Sequence, residues 1–334
     1  MRQKFVLIFI PFLLASAGLL VGYTLLHWLL IGELDRHAIK EDYVNIWIPF
    51  LLPWIVLLTW IRPRIKLLRF ATGGNPVMAY LYFGVIIMDV PNIIAQEYVD
   101  TAAGKMTQLN RPDLIGDQAA TKFYSISHYY IDTSHLGTAY TAHVTGRTSS
   151  DLDLSLYIAC PIDDESVEPT MIGAVAVNRQ PDTTNLITLG YGAAGFNFQR
   201  AAPKAWCCVH YYKRISNRLS DEEKEDQEHS FYHQSVATFH LINFRSIAYF
   251  ERTGYNEKYD GFAKAIKKTG LQVNDSSLTY ILEPKFNAFA SRNGQKLPWV
   301  FGSWAIGLLL WFGMIMIPPI DEEKLKAFIR PFGS

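Results

Sequence analysis

The chain has 334 residues, 31 basic and 31 acidic side chains, and zero formal net charge at pH 7. With 49% hydrophobic and 19% charged residues, its mean hydropathy is +0.07, an average shared by apolar soluble proteins and by membrane proteins with a polar insert. No segment interleaves a dense Lys/Arg stripe with aromatics, which excludes nucleic acid as the partner.

Local hydropathy separates the two classes. Residues 5–31 contain no charged side chain, and about 20 apolar residues cross a hydrocarbon core of ~30 Å. The basic start Met1-Arg2-Gln3-Lys4 and the triplet Ala15-Ser16-Ala17 also fit a cleaved signal peptide, whose apolar core is only about 7–15 residues long. The longer run favours an uncleaved anchor. A second uncharged run, 46–61, has Tyr43, Trp47, Trp54 and Trp60 near its ends, where aromatic rings settle at headgroup level. A third span is expected at 77–95, apolar except for Asp89; a charge at helix centre costs roughly 2.5–3.5 kcal/mol on insertion scales. The fourth, 297–317, carries Trp299, Trp304 and Trp311.

Flanking charges give one orientation. Arg2 and Lys4 precede the first span, the loop 32–44 is acid-rich, and the next loop holds Arg62, Arg64, Lys66 and Arg69 without an acid. Lys and Arg resist translocation, so residues 1–95 are expected to form a three-span membrane region and 96–296 a domain outside the cytoplasm. The fourth span then returns Lys324, Lys326 and Arg330, in the tail 318–334, to the cytoplasm. The bacterial inner membrane is the expected location. In the tail, Leu325, Phe328 and Ile329 share one helical face beside Lys324 and Lys326, as in a helix lying in the interface.

Within the inserted domain, Tyr124, Ile126, His128 and Tyr130 alternate with other residues, as do Leu152, Leu154, Leu156 and Ile158. This period of two marks half-buried strands. Further strands are expected at 171–177 and 206–212. Ser220-Asp221-Glu222-Glu223 is a capping box that opens a helix, and its acids suit the positive end of the helix dipole. A second helix is expected from Asp260, with Phe262 and Ile266 on one face and Gly270 as its stop. The fold class is therefore an α+β membrane protein, its mainly antiparallel sheet and helices inserted between the third and fourth spans.

Asp89 is the leading candidate site, because an intramembrane carboxylate is by default functional. An opposite reading stays open: Pro91, Asn92 and Gln96-Glu97 follow, and a helix that leaves the membrane early would place Asp89 near the outer interface, where it is merely hydrated. Of the three cysteines, Cys160 lies on one expected strand and Cys207 and Cys208 on another, pointing to opposite faces. A disulfide can join Cys160 to only one of them, and buried free thiols are the alternative. Cys207, Cys208 and His210 lack a second ligand pair at zinc spacing. His229 and His233 stand four residues apart without an H-E-x-x-H pattern. Gly190-Tyr191-Gly192-Ala193-Ala194-Gly195 matches G-x-G-x-x-G without the βαβ context that gives the motif its meaning. No catalytic, cofactor-binding or metal-ligating residue is assigned.

Several strings resemble the N-terminal region of long bacterial rhomboid-family proteins. They are Ile48-Pro49-Phe50-Leu51-Leu52-Pro53-Trp54, Trp60-Ile61-Arg62-Pro63-Arg64-Ile65, Ile93-Ile94-Ala95-Gln96-Glu97-Tyr98, Lys122-Phe123-Tyr124 with Tyr129-Tyr130-Ile131-Asp132, Ile215-Ser216-Asn217-Arg218-Leu219-Ser220-Asp221-Glu222-Glu223, and Phe301-Gly302-Ser303-Trp304-Ala305-Ile306-Gly307. The resemblance implies a non-catalytic region that in those proteins precedes an intramembrane serine protease core. No Gly-x-Ser-Gly occurs here. Ala142-His143-Val144-Thr145-Gly146 looks like the rhomboid histidine string but falls on a polar, strand-like segment. The expected function is a non-catalytic accessory or scaffold subunit that binds other membrane proteins; small residues such as Ala15, Ser16, Gly18 and Gly22 permit close helix approach. The alternatives are a regulatory or substrate-presenting module for intramembrane proteolysis, and a sensor or transporter using Asp89.

Overall fold

Four helices in the computed structural model, which describes residues 1–33, 43–70, 75–165, 202–272 and 279–329, are long and apolar enough to cross a membrane: Arg2–Leu29, Ile48–Ile65, Pro76–Ala102 and Phe289–Met316. The first contains a π-helical stretch, Phe5–Phe9, and then α1, Ile10–Glu33. The second contains α2, Ile48–Val56, and a π-helical stretch, Leu57–Ile61. The third is α3, Pro76–Ala102. Their packed unit comprises 1–106, 254–259 and 286–334.

The bundle core follows from aromatic and branched side chains that meet at small residues. Phe12 of α1 stacks on Trp311 at 4.0 Å between ring centroids, and Leu57, Ile61, Val85, Met88 and Ile315 complete the cluster. A Cβ on Gly84 would come within 3.2 Å of Leu57, and one on Gly307 within 2.6 Å of Ile87. Close helix approach is therefore made by Gly84 and Gly307, whereas Gly18 and Gly22 have nothing within 4 Å. The small residues of the first span that are buried are Ala15 and Ser16.

Pro91 lies inside α3 without ending it. Proline has no amide hydrogen, so the Ile87 carbonyl cannot receive the usual bond from position 91. The helix runs to Ala102, seven residues beyond the expected end of the span at 95, and Asp89 sits at its middle.

Inside the same unit, Leu68 forms an antiparallel bridge with Ile320. Backbone hydrogen bonds from Arg69 to Pro319 (2.8 Å) and from Asp321 to Leu67 (2.9 Å) tie the chain after the second helix to the chain after the last. In the tail, helix Glu322–Ile329 buries Leu325, and the Arg64 guanidinium stands 6.0 Å over the Phe328 ring.

In the second unit, 107–253 and 260–285, the described residues form an eight-stranded sheet. Its strands are β1 (Met106–Leu109), β2 (Phe123–Ile126), β3 (Tyr130–Ile131), β4 (Gly137–Thr145), β5 (Asp151–Asp163), β6 (Ala205–Ser216), β7 (Tyr249–Arg252) and β8 (Tyr280–Lys285). The order is β1-β2-β7-β8-β6-β5-β3, and β4 also pairs β5. The sheet is mixed: the pairs of β2 with β7, β3, β4 and β6 with β5, and β7 with β8 are antiparallel, as expected of a mainly antiparallel sheet. β6 and β8 run parallel, because the connection between them carries α4 (Asp221–His240), β7 and α5 (Glu257–Lys267) and returns the chain in the same direction.

Alternation at Leu152, Leu154 and Leu156 gives way to unbroken burial from Leu156 to Ile162, so the C-terminal half of β5 is covered on both faces. The 124–130 stretch is two strands, not one: β2 ends at Ile126, and exposed His128 contacts Glu165 at 3.2 Å. α4 begins with the expected capping box: Glu223 N donates to Ser220 Oγ at 3.3 Å and Ser220 N to Glu223 Oε2 at 2.9 Å. It buries Phe231, Ser235 and Phe239, one residue per turn on a single face. α5 starts at Glu257, three residues before Asp260, and Gly270 beyond it has φ +76°. The expected strand at 171–177 and the glycine string at 190–195 lie outside the described residues.

Candidate polar site within the helix bundle

On α3, Asp89, Asn92, Gln96 and Asp100 are spaced by three, four and four residues. At 3.6 residues per turn they fall within about 80° of one another around the axis, over a length of about 16 Å. Asp89 is 6% exposed, Asn92 2% and Gln96 0%, values that place amides and a carboxylic group where apolar residues belong. Asp89 Oδ1, Asn92 Oδ1 and Gln96 Nε2 have no hydrogen-bond partner. Burying such groups unpaired costs roughly 1–3 kcal/mol each.

α1 supplies the complementary groups. Ser16, Leu20, Tyr23 and His27 recur at i, i+4, i+7 and i+11 and are all buried. His27 Nδ1 makes a hydrogen bond with Gln96 Oε1, and its Nε2 lies 3.5 Å from Asp100 Oδ1. One ring thus joins an amide and a carboxylate one turn apart on α3. Further along, α6 (Lys296–Met316) contributes Trp304, whose Nε1 donates to Ser16 Oγ at 3.2 Å. At the Ala102 end, Arg292 donates to the Thr101 and Ala102 carbonyls at 3.0 and 3.4 Å, and Lys296 stands 3.7 Å from Glu97.

Asp89 is therefore brought into a polar face with groups that the sequence reading did not single out. His27 was hidden because a neutral histidine does not interrupt an uncharged run, and Asp100 because it lies beyond the hydropathy boundary. Their signal was the i, i+3/i+4 spacing. His27→Ala should leave Gln96 and Asp100 without this partner and destabilise the purified protein by about 1–3 kcal/mol. Thermal unfolding in detergent checks this; an unchanged midpoint contradicts the contact.

The other candidates lie in the sheet unit. Cys160 and Cys207 face one another in register across β5 and β6, while Cys208 is opposite Ala159 on the other face. All three are buried free thiols in the structure. Burial, with the negative charge of Asp132, pushes Cys160 up to about 12, and burial raises Cys207 and Cys208 well above the ordinary range. Because the thiolate is the reactive form, alkylation of the folded protein should be slow. Titration in denaturant should return three thiols; one thiol would show Cys160 bridged.

His229 and His233 have ring centroids 5.4 Å apart and line a surface recess with Glu228, Tyr232 and Tyr140. Among the described residues no group of three or more His, Cys, Asp or Glu is placed to hold a metal ion. His143 is exposed on β4, with Asp153 as its register partner on β5, so the rhomboid-like histidine string belongs to a strand and the turn after it.

Among the carboxylates that cations hold in this unit are Asp153 and Glu251. Arg214 donates to both oxygens of Asp153 at 2.6 and 3.0 Å, and Tyr212 donates to Oδ1 at 2.7 Å; these bonds, Arg214's first, hold the Asp153 carboxyl well below its usual range. Burial would raise Glu251, but Lys122 at 3.5 Å and Lys285 at 3.1 Å outweigh it and hold it low. A depressed carboxyl contributes stability that is fully present above its unfolded value, about 4, and is lost as pH falls through the folded one. The urea midpoint should accordingly drop on acidification below about pH 4, and Glu251→Gln should flatten that drop. A wild-type midpoint independent of acid would contradict it.

Comparison of the chain with protein-family models, with curated proteins and with solved structures gives no match.

Proposed function

We propose that this protein is a multi-pass subunit of a bacterial inner-membrane complex, working as a sensory or transport component through the polar face of α3, with its sheet unit outside the cytoplasm. The observation that carries the reading is Asp89: mid-helix, buried, with an unpartnered oxygen, and in line with Asn92, Gln96 and the His27–Asp100 pair. Ionisable groups are costly inside an apolar bundle, and intramembrane examples mark functional pathways. The accessory-subunit expectation is kept in this reading, with the polar face as the part that works.

A strain carrying Asp89→Asn should show the phenotype of a deletion strain while the protein accumulates normally. Native mass spectrometry of the protein, purified gently from its own membranes, should show a stoichiometric companion. Wild-type behaviour of the variant removes Asp89 from the function, and a lone chain removes the subunit role. The reading as a module for intramembrane proteolysis rests on the rhomboid-like strings alone, and no feature of the bundle favours it.

A further inference from the structure

We infer that the polar face of α3 is a proton-binding site, in which Asp89 at mid-helix takes up and releases a proton. The inference rests on the reading of this face as the working site and names its ligand. α1 presents His27 to Asp100 of α3, and α6 presents Lys296, which stands against Glu97. Arg292, just before α6, is engaged by the Thr101 and Ala102 carbonyls. α2 carries no charged residue, and Arg62 and Arg64 follow it. On α3 itself Glu97 and Asp100 lie two to three turns away. None of these groups bonds Asp89, whose Oδ1 is unpartnered.

A hard divalent cation would need about six or more oxygen ligands. The unpartnered acceptors along this face of α3 are Asp89 Oδ1 and Asn92 Oδ1. Among the described residues no metal-holding group is found. A proton needs only the one carboxylate oxygen. Uptake takes a hydronium proton onto that oxygen: an O–H bond forms, a water is released, the carboxylate charge is neutralised, and nothing is oxidised or reduced. Beyond Asp89 along the same face, Asn92 Oδ1 and Gln96 Nε2 are an acceptor and a donor without protein partners, the pairing that water between them would satisfy.

The test uses the full chain in lipid nanodiscs and infrared difference spectra between acidic and alkaline buffer, in ordinary and heavy water. When the spectra of Asp89→Asn are subtracted from those of the wild type, a protonated-carboxyl band should remain that grows as pH falls and shifts in heavy water, and the same subtraction in a Glu97→Gln background should leave it in place. If Asp89→Asn does not fold, Asp89→Glu in protein labelled with ¹³C-aspartate should remove the same band from the labelled spectrum. Absence of an Asp89-dependent band overturns the inference. So does a band displaced at constant pH by sodium but not by choline, which would make the ligand an alkali cation. A silent spectrum with a lost phenotype in the Asp89→Asn strain would remove the proton and leave the proposed function standing. A titrating band with a wild-type phenotype would do the reverse.

Discussion

Asp89→Leu should raise the thermal midpoint of the purified protein while abolishing the behaviour that depends on it. The side chain is 6% exposed and Oδ1 has no partner, so the wild type bears the desolvation of a polar group without the bond that offsets it. Leu is of similar reach, and removing an unsatisfied buried group in favour of an apolar one is neutral or stabilising, by up to about 1–3 kcal/mol. Stability gained at the expense of activity is the pattern of a residue retained for function. Asp89→Asn should gain less, because an amide keeps the polar burden. The measurement is thermal unfolding in one detergent for the wild type and both variants. A clear fall in Asp89→Leu would show that the carboxylate is a structural partner, and would remove the basis of the site.

The same face shows how much was legible beforehand. Hydropathy located all four long helices, because span length depends on composition averaged over every side of a helix. That averaging is also why α3 was ended at 95. Gln96, Glu97 and Asp100 lower the mean, but intrahelical hydrogen bonds do not depend on side-chain polarity, and the polar residues gather on one stripe. Asp89 was readable as an oddity; its neighbours His27 and Asp100 were not, because their importance arises from the pairing of α1 with α3. In the sheet unit the capping box at Ser220 was fully local and therefore readable. The parallel β6–β8 pair was not, since it joins strands separated by two helices and another strand. Facing of Cys160 by Cys207 rather than Cys208 depends on the β5–β6 register, which alternation alone leaves open by one residue.

Gly137→Ala should be among the most destabilising changes in the sheet unit, with Gly261→Ala close behind. A Cβ at Gly137 would lie 2.1 Å from the Ala265 carbonyl oxygen and 2.7 Å from Thr269 Cγ2. The oxygen is backbone within α5, so relief requires moving the helix. At Gly261 the Cβ would meet the Tyr157 ring at 2.5–2.6 Å. That ring is held by His210, stacked at 4.6 Å, and by Phe262, edge-on at 5.4 Å, so it has little room to turn. Two effects oppose at this position. Alanine in a helix interior gains about 1 kcal/mol over glycine, while overpacking costs about 1–3 kcal/mol and sometimes more. Contact with several ring atoms puts the cost at the upper end, so packing wins and the net change is destabilising. Gly22→Ala is the control: it lies within α1 with nothing within 4 Å of the added carbon, so the propensity gain acts alone and the midpoint should rise. Chemical denaturation of the full chain reads all three variants. A Gly261→Ala protein as stable as Gly22→Ala would mean that α5 does not rest on Tyr157, and that the sheet is covered on this face by some other arrangement.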